Sequence, residues 1–243
     1  MIVTVGGGIR AFPRYPGADG QAFLPKLILN VRREDRPVSF RAPDQNFGIS
    51  VLKAGSAVRL GPVVDFQTSR NEVDVGAPVG NVGWTAELGA FAEGYVSKIL
   101  RVRSELRKGL NGHGGMVADL SADMFFRSGN STVFSIGPRL RWADDNYTAA
   151  YYGVTPEVSA ATGLDPFDPG SGIQSLGVTA GMRLAVSQRI SLHGYARHDF
   201  LMNNSAASPI VRQFGSRDQL SASLGISYNF VVRPPPLPAP QQR

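Results

Sequence analysis

The chain has 243 residues, 42% of them hydrophobic, with 25 Lys and Arg against 19 Asp and Glu and a formal charge of +6. It has no cysteine, which excludes disulfides and thiolate metal sites. Arginine is scattered and alternates with apolar residues instead of clustering with aromatics on one face, so nucleic acid is not the expected partner. No apolar run approaches the ~18 residues of a membrane-crossing helix.

The residues after Met1 read directly as strand, without the basic start, apolar core and small-residue cleavage site of an export signal. Residues 2–11 form the first strand, with Val3, Val5, Ile9 and Ala11 on one face. Gly6-Gly7-Gly8 interrupts it as a bulge or a close strand approach; no GK[ST] follows to make a phosphate cradle. Residues 13–19 are turn-rich and residues 22–31 return as a second strand. Residues 32–46 are polar, contain Pro37 and Pro43, and read as a loop or short hairpin. Residues 49–60 form a third strand, Gly61-Pro62 turns the chain, 63–67 form a short fourth strand, and 68–81 are loop.

The pattern then sharpens. Apolar residues recur at every second position in 84–93, 98–107, 116–126 and 133–142. A shorter strand is predicted over 147–153, followed by a long loop over 154–172. Strands 176–186 and 190–199 flank a tight turn at 187–189. After a loop at 201–216 comes the clearest case: Leu220, Ala222, Leu224, Ile226, Tyr228 and Phe230 alternate with Gln219, Ser221, Ser223, Gly225, Ser227 and Asn229. A strand crossing a bilayer needs about 9–11 residues, whereas soluble strands more often have about 5–6.

These elements predict an all-β fold: a closed antiparallel transmembrane β-barrel of about twelve strands with a polar lumen, spanning residues 1–230. Residues 231–243, with five prolines, are expected to be an extended tail. Even-numbered residues of the strands from 84 onward should face lipid. The odd parity then carries Glu87, Glu93, Arg101, Arg103, Glu105, Arg107, Asp119, Asp123, Arg139, Arg141, Arg183, Arg197 and Asp199 as the expected lumen lining. Arg at mid-bilayer on the lipid face would cost up to ~2–4 kcal/mol. The near balance of acids and bases favours pairing that plugs the lumen. A soluble barrel or sandwich is the alternative; it would put the apolar parity inside. With Phe230 at the periplasm, twelve strands place loops 154–172 and 201–216 outside. The same count places turns 187–189, 143–145 and 109–112, and loops 32–46 and 68–81, inside. Trp84, Trp142 and Phe230 are expected near the inner interface, and Phe126 and Phe200 near the outer one.

Catalytic patterns are weak. Gly112-His113-Gly114-Gly115 faintly matches an esterase oxyanion loop, but no G-x-S-x-G accompanies it. Neither His193-Gly194-Tyr195 nor His198-Asp199-Phe200 matches the H-x-S-N-G of outer-membrane phospholipases. His198 and Asp199 point to opposite faces of one strand, and three scattered histidines give no metal-ligand spacing. A non-enzyme without cofactor or metal is expected.

Several blocks resemble the MipA/OmpV family. They are Val5-Gly6-Gly7-Gly8 with Pro13, Tyr15-Pro16-Gly17 and Asp19; Gly109 with Gly112-His113-Gly114-Gly115; Pro138 with Trp142-Ala143-Asp144, Tyr147 and Tyr152-Gly153-Val154; and Ser227-Tyr228-Asn229-Phe230. The resemblance implies an outer-membrane location. It also implies a scaffold linking peptidoglycan-remodelling enzymes, with a lytic murein transglycosylase and a penicillin-binding synthase as partners. Other members of this family are described as porin-like or adhesive, so a small-solute channel or adhesin is the alternative. The export signal such a protein needs is absent from this chain.

Overall fold

The computed structural model describes residues 1–34, 40–52, 57–129 and 132–232. Eleven strands form one sheet: β1 (Ile2–Pro13), β2 (Gln21–Arg32), β3 (Phe47–Gly48), β4 (Val58–Gln67), β5 (Thr85–Tyr95), β6 (Leu100–Gly109), β7 (Met116–Ser128), β8 (Thr132–Ala143), β9 (Gly172–Ala185), β10 (Ile190–Leu201) and β11 (Asp218–Val231). All pair antiparallel in the order β2-β1-β11-β10-β9-β8-β7-β6-β5-β4-β3. The N-terminal strand is thus zipped to the C-terminal one, Ile2 opposite Val231 through Ala11 opposite Ala222. The sheet curls until β2 and residues 40–47 line one shared cavity.

The face assignment follows the parity expected for lipid. Leu224 is 65% exposed and Leu184 37%, while Ser223, Ser227 and Asn229 are buried. Glu87, Glu93, Arg101, Arg103 and Arg107 are each 3% exposed or less. A soluble barrel would have the opposite sense. Among the described residues no helix is long and apolar enough to cross a membrane; the crossing elements are strands, of which β1 and β4 to β11 are paired on both sides while β2 and β3 end the sheet.

The strand expected over 49–60 is not formed: residues 49–52 are outside any strand and β4 begins at Val58. Two further sequence expectations fail as well. Residues 147–153 are not a strand: Asp145–Tyr152 is a helix, α2. Asp144 caps it by accepting from the Tyr147 amide. Tyr147 and Tyr151, four apart, pack against each other on one helix face with tilted rings and centroids 4.9 Å apart. Gly61-Pro62 does not turn the chain either; β4 runs straight through both. With one strand fewer before residue 172, the connections between residues 68 and 145 change sides. Residues 14–20, 68–84, 110–115, 144–171 and 202–217 all gather at one end. The connections 96–99 and 186–189 lie at the other, as does Gly129, beside Met1 and Val232. Turns 143–145 and 109–112 and loop 68–81 therefore belong with the long loops, not with the short turns. Trp84 and Trp142 move with them and join Phe200, whereas Phe126 joins Phe230 at the short-turn end.

The long loops fold into a cap. Besides α2 it holds α1 (Glu72–Val75), α3 (Pro156–Thr162), α4 (Asn203–Ala207) and α5 (Pro209–Phe214). Tyr147, Tyr151 and Tyr152 pack with Val82, Val117, Ala143, Leu201 and Val211. Tyr15, Val75, Val79, Val154, Leu164 and Ile210 form an adjoining cluster. Arg70, buried, donates to the carbonyls of Tyr151, Val79 and Gly80 and ties the 68–84 and 144–171 connections together. Residues 233–243, the Pro-rich tail, lie outside the described residues.

Burial pushes the Tyr152 phenol up to about 12 and raises Tyr147 and Tyr151 as well. The folded cap thus favours the neutral phenols. Their contribution is complete below the ordinary phenol value of 10.0 and is lost as pH climbs from there toward 12. Near-UV circular dichroism should hold to about pH 10 and fall above it; a cap signal lost well below pH 10 would contradict this burial.

Leu224→Arg should block assembly of the heat-modifiable barrel, at a cost of up to ~2–4 kcal/mol. Ser221→Ala, on the inner face, should leave the shift of electrophoretic mobility with heating intact. Equal behaviour of the two variants would contradict the face assignment.

Candidate functional site

Strands β5 to β8 bring a dense set of charges to the inner wall, because each contributes ionisable residues at every second position. Arg107 on β6 donates from Nε to Glu87 at 2.8 Å and from Nη2 to Asp119 at 2.6 Å, and also to Glu105. Arg141 on β8 grips Asp119 with two bonds of 2.8 and 3.0 Å. Arg103 donates to Glu93 at 2.9 Å and Glu105 at 2.7 Å. Arg101 reaches Asp123 at 2.7 Å and Glu93 at 3.4 Å. Arg139 donates to Asp123 at 2.8 Å. Arg197 holds its strand neighbour Asp199 at 2.6 and 3.0 Å.

Arg183 stands apart from this lattice. It sits opposite Val133 and His193. The other expected lining residues join into one connected network.

The connection runs through a residue that the pattern of strands does not reveal. Asp44 accepts two bonds from Arg139, at 2.8 and 3.0 Å, a third from Arg197 at 3.2 Å and a fourth from Thr179 at 2.8 Å. It joins the β7–β8 lattice to the Arg197–Asp199 pair. Its neighbours are engaged too: Gln45 accepts from Arg101 and Asn46 donates to Glu105 at 2.9 Å. Phe40 stacks on Phe125 with centroids 4.5 Å apart, and the Arg101 guanidinium lies over the Phe40 ring. Residues 40–46 therefore occupy the interior, where a polar loop at the inner face was expected. Residues 35–39 lie outside the described residues.

Topology explains this path. β2 and β3 both run toward the short-turn end. The chain between them must climb back, and residues 40–46 do so through the lumen. A carboxylate facing this arginine-rich wall is the pairing that compensates buried guanidinium groups. That requirement is the signal by which Asp44 could have been found; read locally, Asp44-Gln45-Asn46 is an ordinary polar turn.

Two Phe residues share the inward parity and serve the arginines. Arg103 lies 3.8 Å over the Phe91 centroid, and Phe125 underlies Phe40. Arg59 extends the lattice to Glu93 at 2.9 Å and His113 to Glu87 at 3.0 Å. The three histidines do not meet. His113 lies buried beneath the cap with its ring against Tyr147, His193 bonds Ser227 inside the barrel, and His198 pairs with Asp218 at the surface. Asp199 points inward to Arg197 while His198 points outward, so the two form no dyad. Among the described residues no group of His, Asp or Glu has the arrangement of a metal site.

Asp44→Ala should leave Arg139 and Arg197 short of compensation and release residues 40–46. Breaking a buried pair costs about 3–5 kcal/mol. The expected outcome is a lower temperature for the heat-induced mobility shift, with the barrel still assembled. An unchanged transition would mean the clasp does not hold the segment.

A family model described as MltA-interacting protein MipA matches residues 5–230. No curated protein matches. Among solved structures, the COG4313 outer membrane channel from Pseudomonas putida F1 is similar at 12% identity, covering 94% of this chain and 95% of that one, with a TM-score of 0.46. The N-terminal β-barrel domain of Pseudomonas aeruginosa OprF is 10% identical over 72% of this chain and 98% of that one, with a TM-score of 0.31. Neisserial surface protein A is 15% identical over 71% and 96%, also with a TM-score of 0.31. The family match takes in nine of the strands in full, all but the first three residues of β1 and all but the last of β11, and with the apolar exterior it identifies the chain as an outer-membrane β-barrel protein of the MltA-interacting protein MipA family.

Proposed function

We propose that this barrel is a non-enzymatic scaffold that holds peptidoglycan-remodelling enzymes at the inner face of the outer membrane. The partners would be a lytic murein transglycosylase and a penicillin-binding synthase. The family description names an interaction with the first class of partner. The observation that carries the reading is an interior crossed by a segment of the chain and closed over at one end. Asp44 and its segment cross the lumen, the arginine–carboxylate lattice occupies the wall from β5 to β8, and a folded cap covers the long-loop end. A barrel so occupied is better suited to present a rigid surface than to pass solutes.

The partner surface in this reading is the short-turn end, where connections 96–99 and 186–189 project. Residues 40–46, part of the loop 32–46 that the strand count places on the inner side, are turned into the lumen and leave that surface to these two turns. A second reading, a small-solute channel, draws support from a cavity of about 650 Å³ beside residues 40–47.

Crosslinkers placed at Ser97 and Gln188 should capture a murein transglycosylase from intact envelopes. Capture from the cap alone would sink the scaffold reading. In planar bilayers the purified protein should be nearly silent, and steady anion-preferring steps would favour the channel instead.

A further inference from the structure

The half of the interior bounded by β1, β2, β9 and β10 differs from the paired lattice. Its cavity of about 650 Å³ is lined by Arg10, Lys26, Arg41 and Arg183, with His193 and Tyr195 between them. One carboxylate, Asp44, lines it among the described residues, and Arg139, Arg197 and Thr179 already hold that group. The chamber is therefore strongly cationic.

Strand register explains why it is open. Lys26 pairs with Gly8, Gly8 with Gly225, Gly225 with His193 and His193 with Arg183. This is one lateral row across five strands, about 4.8 Å apart, with two glycines in its middle. The row places no side chain on the wall between Lys26 and His193. Lys26 turns back to Ser223, 3.0 Å away, and lies 4.7 Å over the Tyr195 ring. Across the chamber, Nε and Nη2 of Arg183 are enclosed and have no hydrogen-bond partner among the described residues. An enclosed guanidinium N–H without an acceptor is costly, and a bidentate oxyanion is the partner its geometry fits.

We propose that this chamber binds a phosphate-bearing ligand. Arg183 would grip the phosphate as a fork, and Lys26 would add a point charge from the opposite wall. Arg10 and Arg41 would supply further positive potential. The phosphate could belong to a solute entering from the short-turn end. It could equally belong to a lipid headgroup, because Leu27, Leu29 and Phe47, exposed on the outer face, also border the chamber. The proposal does not depend on the scaffold reading.

The test uses the full chain in neutral detergent, followed by isothermal titration with inorganic phosphate, and in a second arm with micelles doped with phosphatidylglycerol. Arg183→Gln and Lys26→Gln are compared with the unmodified protein, each scored only as an assembled, heat-modifiable barrel, and either variant suffices. Saturable binding of inorganic phosphate that weakens roughly tenfold or more in a variant supports a soluble ligand. Binding seen only with the anionic lipid, and weakened in the same way, supports a headgroup. No saturable binding in either arm, or equal affinity in the assembled variants, overturns the proposal.

Discussion

The structure depends on one constraint: a face in contact with hydrocarbon accepts neither charge nor an unpaired amide. Strand alternation turns that constraint into a sorting rule. Leu220, Leu224 and Ile226 go outward, and the same rule sends Arg101, Arg103, Arg107 and Arg139 inward with no choice. Once inside, guanidinium groups need carboxylates close by, since an unpaired buried charge is far more costly than a paired one. The lattice of Glu87, Glu93, Glu105, Asp119 and Asp123 is that compensation. Buried pairs of this kind contribute little net stability against a well-packed apolar core. What they do here is fix register: a slip of one residue between β6 and β7 would send Asp119 and Asp123 to the lipid.

The same requirement shapes the path of the chain between β2 and β3. Arg139 and Arg197 stand on strands separated by β9, which places Gly177 and Thr179, and no carboxylate, between them. Asp44 reaches both from a segment that is not part of the sheet. The aromatic contact of Phe40 with Phe125, flanked by Arg101, anchors the segment's other end. Polar and aromatic anchors at both ends make residues 40–46 a built part of the interior. They also divide it: Asp44, Gln45 and Asn46 line both the 650 Å³ chamber and a smaller cavity of about 200 Å³ toward the cap.

Alternation was readable wherever one face met lipid and the other met charge. The parity of 84–93, 98–107, 116–126, 133–142, 176–186, 190–199 and 218–230 is that of the structure, because period two is written directly in side-chain polarity. The stretch 147–153 misled because its tyrosines are amphipathic and suit a strand or a helix alike. Only the Asp144 cap and the four-residue spacing of Tyr147 and Tyr151 distinguish the two. Gly61-Pro62 misled because a Gly-Pro step reads as a turn in isolation, yet Gly61 and Pro62 pair in register with Phe91 and Ala90. The candidate site was legible as a set of residues but not as a set of contacts. Which arginine meets which acid is decided by register between strands, and Asp44 comes from a segment with no period at all.

The helix at Asp145–Tyr152, where a strand was expected, also gives the two ends of the barrel different character. The long-loop end buries its tyrosines, its short helices and Arg70 in an apolar core of its own. Such a cap spends its apolar surface on itself and leaves little of it for a partner. The short-turn end has connections of a few residues and both described chain ends, joined by the bond from Met1 N to the Val232 carbonyl. The cationic chamber lies on the β1–β2 and β9–β10 side, away from the neutralised lattice of β5 to β8. Among the described residues the uncompensated positive charge gathers on this side of the interior, and that asymmetry arises from sequence. β1 and β11 face inward with Gly6, Gly8, Ser223, Gly225 and Ser227, which carry no acid to cancel Lys26 and Arg183.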